Sequence, residues 1–149
     1  KPIQCGKNEN GFSDKESVIN LLKLKKNRFI NENYSFEDPI SPNLASKKIK
    51  VKIVLENINN NKILKKPLIV EGAGGLMVPI NDKDLIVDLI RFLRLPVILV
   101  ARTTLGTINH TLLSIESLKN RGQKLYGIIF VGNENNSVEK TIFKFWKKI

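Results

Sequence analysis

Three short, uninterrupted apolar runs constrain this chain most: Leu68-Ile69-Val70, residues 96–100 (Pro-Val-Ile-Leu-Val) and residues 126–131 (Tyr-Gly-Ile-Ile-Phe-Val). A strand with one wet face alternates apolar and polar residues, whereas a continuous apolar run is the pattern of a strand buried on both faces of a parallel sheet. Helical patterns separate the runs. Asp82 or Asp84 can cap a helix through Leu93, and residues 105–121 repeat apolar side chains at 105, 108, 112, 115 and 118 before Gly122, which is placed as a C-terminal cap. Residues 137–148 form a last amphipathic helix. Strand alternating with helix predicts an α/β fold, a three-layer domain with a central parallel sheet covered on both faces. Upstream, residues 1–6 read as a strand end running into a loop, and Ser13 and Asp14 as the cap of a helix through about Leu24, with Val18, Leu21 and Leu22 on its apolar face. Residues 25–38 read as polar loop, and residues 47–62 as a helix carrying Ile49, Ile53, Val54 and Ile58. No repeat or linker divides the sequence, so a single domain over residues 1–149 is expected.

Composition works by exclusion. One Cys (Cys5) and one His (His110) cannot build a disulfide framework or a Cys/His zinc site, so a metal here must take oxygen ligands, as magnesium does. The longest apolar run, residues 96–101, is far too short to cross a bilayer, and no signal-peptide pattern opens the chain. A cytoplasmic protein without a membrane partner is expected. The net charge of +11 raises nucleic-acid binding as a rival, but 20 of the 25 basic residues are Lys, spread along the chain with little aromatic interleaving. Base-stacking and base-reading surfaces favour Arg and aromatics, so no nucleic-acid partner is expected.

In open parallel sheets, ligands bind at the carboxyl ends of the strands, where three unusual segments fall: residues 1–6, 71–75 and 103–109. In Glu71-Gly72-Ala73-Gly74-Gly75 an acidic residue leaves an apolar run and three glycines in four positions let backbone approach a ligand closely. A carboxylate so placed suits magnesium; the plainer alternative is a tight turn whose Glu faces solvent. The segment is not a dinucleotide fingerprint, because Met77 stands where the third glycine belongs. Asp14 is a second candidate carboxylate, although Ser13-Asp14 alone is an ordinary helix cap. Lys1 can neutralise a phosphate, or simply be solvated. Gly106 and Thr107 open a helix and can offer N–H groups to an anion such as a carboxylate. His110 reads as a packing residue, and Cys5 as a small buried residue without a partner to activate it.

Taken together and in order, these segments resemble the dethiobiotin synthetase family of ATP-dependent cyclo-ligases. The resemblance rests on Lys1-Pro2-Ile3-Gln4-Cys5-Gly6, Asp14, Ser41-Pro42-Asn43-Leu44-Ala45, and the run from Val70 through Glu71-Gly72-Ala73-Gly74-Gly75 to Pro79. It continues through Pro96-Val97-Ile98-Leu99-Val100-Ala101-Arg102 into Leu105-Gly106-Thr107-Ile108-Asn109-His110. It implies a P-loop NTPase-like fold and the conversion of 7,8-diaminopelargonate, CO2 and ATP to dethiobiotin, a step of biotin biosynthesis, by way of a carbamate and a carbamic–phosphoric anhydride. By motif, Lys1 is implied as the catalytic lysine, Asp14 and Glu71 as magnesium and ATP ligands, and Gly72, Ala73 and Gly74 as the loop beside the nucleotide phosphates. Cys5 stands at a substrate-contacting position where Thr or Ser is usual. Gly106, Thr107, Ile108 and Asn109 resemble the helix start that receives the substrate carboxylate across a homodimer interface.

The departures are informative. The family's phosphate loop, Gly-x-x-x-x-Gly-Lys-Thr, is not among these residues, and the resemblance places it upstream of Lys1. Val131 stands where an Asn near the adenine is common. The 149 residues are therefore expected to be a fragment lacking the N-terminal P-loop and the C-terminal end, inactive and poor at holding ATP by itself. The rivals are another P-loop ATPase or amidoligase, such as a cobyrinate-type synthetase or a partitioning ATPase, and a degenerate, non-catalytic family member.

Overall fold

The computed structural model describes residues 1–61 and 67–149. The chain forms two compact units, Lys1–Leu89 and Ile90–Ile149, each with a small parallel sheet of its own. In the first unit, β1 (Ile3–Cys5) leads through a loop to α1 (Asp14–Leu22), a 3-10 turn over Lys26–Arg28 and β2 (Tyr34–Phe36). Then come the one-turn helix α2 (Pro42–Ala45) and α3 (Val51–Asn61). Helix α4 (Ile86–Leu93) carries the chain into the second unit, where β3 (Val97–Arg102), α5 (Thr107–Asn120), β4 (Leu125–Val131) and α6 (Asn136–Trp146) follow. No helix among the described residues is long and apolar enough to cross a membrane.

The α/β class and the parallel pairing agree with the sequence pattern; the division into two sheets does not. β1 pairs β2 with Ile3 opposite Tyr34 and Cys5 opposite Phe36, and β3 pairs β4 from Ile98 opposite Gly127 to Arg102 opposite Val131. β2 lies inside the stretch expected to be loop. Its apolar–polar alternation is only three residues long, and the pairing with β1 makes it a strand. Conversely, Leu68-Ile69-Val70 is not a strand: no neighbouring strand hydrogen-bonds to it among the described residues, and Ile69 is 87% exposed. An apolar run becomes a strand only where a ladder satisfies its backbone.

Helix α1 begins where expected. The Ser13 hydroxyl accepts from the Glu16 amide, and the Glu16 carboxylate accepts in return from the Ser13 amide at 2.8 Å, a complete capping box. It ends two residues early, because Lys23 turns left-handed at a φ of 50°. Val18, Leu21 and Leu22 are exposed, so the expected apolar face of α1 is not a buried one. In α3, Val51, Val54 and Ile58 are buried while Ile53 is exposed; Ile49 is buried ahead of the helix, and Lys62, its expected end, lies outside the described residues. Neither Asp82 nor Asp84 caps α4. Asn81 and Asp84 instead close a turn on each other, and Asp88 reaches back from the first turn to the Leu85 amide at 3.0 Å.

The second unit is a β–α–β arrangement plus a helix. Leu118 of α5 and Ile142 of α6 are fully buried, and Phe143 meets Phe130 of β4 edge-on. Gly122, at a φ of 65°, closes α5 with its amide on the Lys119 carbonyl, as the sequence indicated. Ile98, Val100, Ile129 and Val131 are exposed, so this sheet is not covered on both faces as expected. Leu118→Ala should cost about 2–5 kcal/mol of stability, whereas Leu113→Ala on the exposed side of α5 should change it by no more than about 0.5 kcal/mol. Urea unfolding of the two variants checks the contrast.

Candidate functional site

Three segments far apart in sequence converge in the first unit. Lys1 precedes β1, Asp14 is the first residue of α1, and Glu71 precedes the glycine-rich turn. The Lys1 ammonium donates to the Asp14 carboxylate and to Glu71 Oε1, the latter at 3.1 Å. The lysine side chain is 14% exposed, against 44% for Asp14 and 63% for Glu71, so the cation is sheltered and the two carboxylates face outward around it. Burial opposes the charge on Lys1, but the hydrogen bonds and charges of Asp14 and Glu71 outweigh it and raise its pKa above the ordinary value. The ammonium is thus a fixed positive charge at neutral pH, suited to stabilising anions and not to acting as a base or nucleophile.

The glycine-rich turn is locked onto α4. An added Cβ at Gly72 would lie 3.0 Å from Ile86 Cγ2, and Gly74 takes a φ of 88° with Val78 at 3.0 Å from the same hypothetical atom. The amides of Ile86 and Val87 donate to the carbonyls of Val78 and Leu76. Packing therefore accounts for Gly72 and Gly74, whereas Gly75 has open space around it. Ala73 is buried beneath the turn.

Cys5 ends β1 half-buried. Burial pushes its thiol up, the charge of Lys1 opposing, so it is a protonated, weak hydrogen-bonding group at neutral pH. Among the described residues no three His, Cys, Asp or Glu side chains form a metal cluster. Asp14 and Glu71 are nevertheless an all-oxygen pair facing one cation. That donor set fits magnesium, which binds a few carboxylates and takes phosphate oxygens and water for the rest.

Gly106, Thr107, Ile108 and Asn109 belong to the second unit, at the start of α5. Gly106 has a φ of 91°. Thr107 is committed to the fold: its hydroxyl donates to the Arg102 carbonyl at 2.6 Å and meets Thr111, and its amide donates to Thr104. Ile108 and Asn109 are the second and third residues of the helix, where N–H groups have no carbonyl one turn earlier to receive them. A groove of about 300 Å³ runs along the other side of this helix start, lined among others by Arg102, Thr104, Leu105, Thr107 and His110, and neither Ile108 nor Asn109 lines it. His110 is exposed in this groove and is not the packing residue that its helical position suggested. A helical His one turn past a glycine cap carries no exposure signal of its own. Arg102, a cation at the carboxyl end of an apolar strand, could have been singled out on that ground.

Comparison with known proteins identifies the family. A family profile described as an AAA domain matches residues 1–148. The chain is 46% identical over 147 residues to the ATP-dependent dethiobiotin synthetase BioD of Christiangramia forsetii, covering 99% of this chain and 69% of that protein. It is 41% identical over 144 residues to the enzyme of the same name from Afipia carboxidovorans, covering 97% and 68%, and 42% identical over 142 residues to that of Brucella ovis, covering 95% and 66%. The chain belongs to the ATP-dependent dethiobiotin synthetase family. It spans about two thirds of the length of these curated relatives, and its fold is of the P-loop NTPase-like α/β class.

As a member of that family, the chain carries at Lys1 a charge whose effect on stability has a defined sign. A pKa raised in the folded state stabilises fully below the ordinary value of 10.5, and the stabilisation is lost as pH rises through the folded pKa. Lys1→Met should therefore lower stability at pH 7 to 10 and narrow its gap to the parent protein above about pH 10.5. Urea midpoints measured between pH 7 and 11.5 test this; a gap that stays constant across the range would count against it.

Proposed function

We propose that this chain carries the catalytic site of an ATP-dependent dethiobiotin synthetase, which joins 7,8-diaminopelargonate and CO2 at the expense of ATP in biotin biosynthesis. The observation that supports it most is the Lys1 ammonium hydrogen-bonded to both Asp14 and Glu71, three residues separated by up to 70 positions. A fixed cation flanked by two carboxylates is what phosphoryl transfer to an anionic acceptor asks of a protein, since the work is positioning and charge stabilisation.

In this reading one amine of the substrate adds to CO2, losing a proton, to give a carbamate. A carbamate oxygen then attacks the γ-phosphorus of ATP and ADP leaves, forming the carbamic–phosphoric anhydride. The second amine attacks the carbonyl carbon and loses a proton, phosphate departs with its bonding electrons, and the ureido ring closes. Lys1 faces the charge on the carbamate and on the transferring phosphoryl group. Asp14 and Glu71 would hold magnesium, which neutralises phosphate charge when bound. The backbone from Glu71 through Gly72 and Ala73 to Gly74 lies beside the nucleotide phosphates. Cys5 contacts the substrate.

The substrate carboxylate goes to the start of α5 over Gly106, Thr107, Ile108 and Asn109, with Gly106 and Thr107 shaping the turn and the N–H groups of Ile108 and Asn109 facing the carboxylate, supplied by a second copy of the chain. The working form in this reading is a homodimer with composite sites, each chain contributing residues 1–149 as one domain, in the cytoplasm. The deciding assay measures phosphate release by the full-length protein with ATP, magnesium, bicarbonate and diaminopelargonate, with dethiobiotin identified by mass. Phosphate release that ignores diaminopelargonate would overturn the reading in favour of another ATPase or amidoligase, and absence of any turnover would favour a non-catalytic relative.

Two variants sharpen it. Lys1→Met should lower kcat by about 10²- to 10³-fold, the scale for losing one preorganised charge-stabilising group. Cys5→Thr, which replaces a weak donor by a stronger one, should lower the KM for diaminopelargonate by about 2- to 10-fold. Steady-state kinetics on both proteins supply the comparison.

A further inference from the structure

Gln4 is a buried polar side chain beside the Lys1–Asp14–Glu71 cluster, and the proposed reaction gives it no task. It is 2% exposed, in the middle of β1, and both ends of its amide are used. Nε2 donates to the Gly6 carbonyl at 2.7 Å, and Oε1 accepts from the backbone N–H of Asp14 at 3.3 Å. As the first residue of α1, Asp14 has an N–H that the helix cannot satisfy, and the Ser13 hydroxyl is occupied with the Glu16 amide. Gln4 therefore caps α1 from a different element. It grips the peptide unit that bears the Asp14 carboxylate, and it stands three residues from Lys1 on the strand segment that carries the ammonium. Its other bond fixes the carbonyl of Gly6, which turns at a φ of 76° under Pro39, where an added Cβ would sit 2.8 Å from the proline ring.

We propose that Gln4 is a positioning residue that fastens the first residue of α1 to β1 and so holds the Asp14 carboxylate against the Lys1 ammonium. The inference rests on the proposed function only in giving that geometry a catalytic use; the geometry itself is open to a separate measurement. A buried amide bonded at both ends is costly to replace by anything that leaves Gly6 and Asp14 unpaired, and a misplacement of the order of 1 Å at a phosphoryl-transfer site costs up to about a hundredfold in rate.

The test is a double-mutant cycle in the full-length protein with Gln4→Leu, which keeps the volume and drops both bonds, and Asp14→Ala. Gln4→Leu alone should lower kcat by about 10- to 100-fold. On the Asp14→Ala background it should change kcat by less than about twofold, because the carboxylate it positions is gone. A loss that multiplies fully onto that of Asp14→Ala would overturn the inference. The second readout needs no turnover: a crystal structure of full-length Gln4→Leu should show the Asp14 carboxylate withdrawn from the Lys1 ammonium, and a carboxylate still within hydrogen-bond distance of it, with or without a lower melting temperature, would assign Gln4 to stability alone and overturn the inference. If Gln4→Leu does not fold, Gln4→Asn draws the amide back by one methylene and carries the same two tests. A parent protein without dethiobiotin-forming activity would refute the proposed reaction, while that structure would still decide the role of Gln4.

Discussion

The ammonium of Lys1, held between the carboxylates of Asp14 and Glu71, is the interaction around which the first unit is organised. A sheltered cation is costly without partners, so the segments that bring those partners must be placed closely. The capping box of Ser13 and Glu16 fixes where α1 starts and therefore where Asp14 stands. The glycine turn, pinned to Ile86 and Val78, fixes where Glu71 leaves the chain. Local structure, packing and charge thus meet at one nitrogen atom.

The second unit solves a different problem with the same economy of parts. Its helix α5 must start abruptly after β3, and Gly106 in left-handed backbone makes the turn that no side chain would tolerate easily. Thr107, buried and tied to the Arg102 carbonyl, then anchors the first turn so that the next amides are presented in a fixed direction. Thr107 is thus engaged through its side chain and its own amide, and Ile108 and Asn109 follow it in the first turn, where amides have no helical carbonyl one turn earlier.

Legibility in the sequence divided along physical lines. Residues 96–100 and 126–131 were readable as strands, observed as Val97–Arg102 and Leu125–Val131, because each finds a partner within its own β–α–β segment. Leu68-Ile69-Val70 carries the same signal and is not a strand, since the signal describes burial and a strand also needs a ladder. The short alternation Tyr34-Ser35-Phe36 sits in a polar stretch and became visible only through its register with β1. The end of α5 was legible at Gly122, where one residue type carries the cap; the start of α4 was not, because Asp82 and Asp84 both look like caps, whereas Asp84 closes a turn with Asn81 and Asp88 reaches back to the Leu85 amide.

The sequence by itself determined the α/β class, the places of α1, α3, β3, α5, β4 and α6 to within a few residues, and the identities of Lys1, Asp14, Glu71 and the Gly106–Asn109 stretch as candidates, because caps, glycines and apolar periodicity are local properties of the chain. Only the tertiary structure decided that Lys1 meets both carboxylates, that Gln4 spans Gly6 and Asp14, and that His110 faces a groove. Those are contacts or exposures set by how distant segments pack, and side-chain type alone does not specify which of many compatible partners a polar group will find.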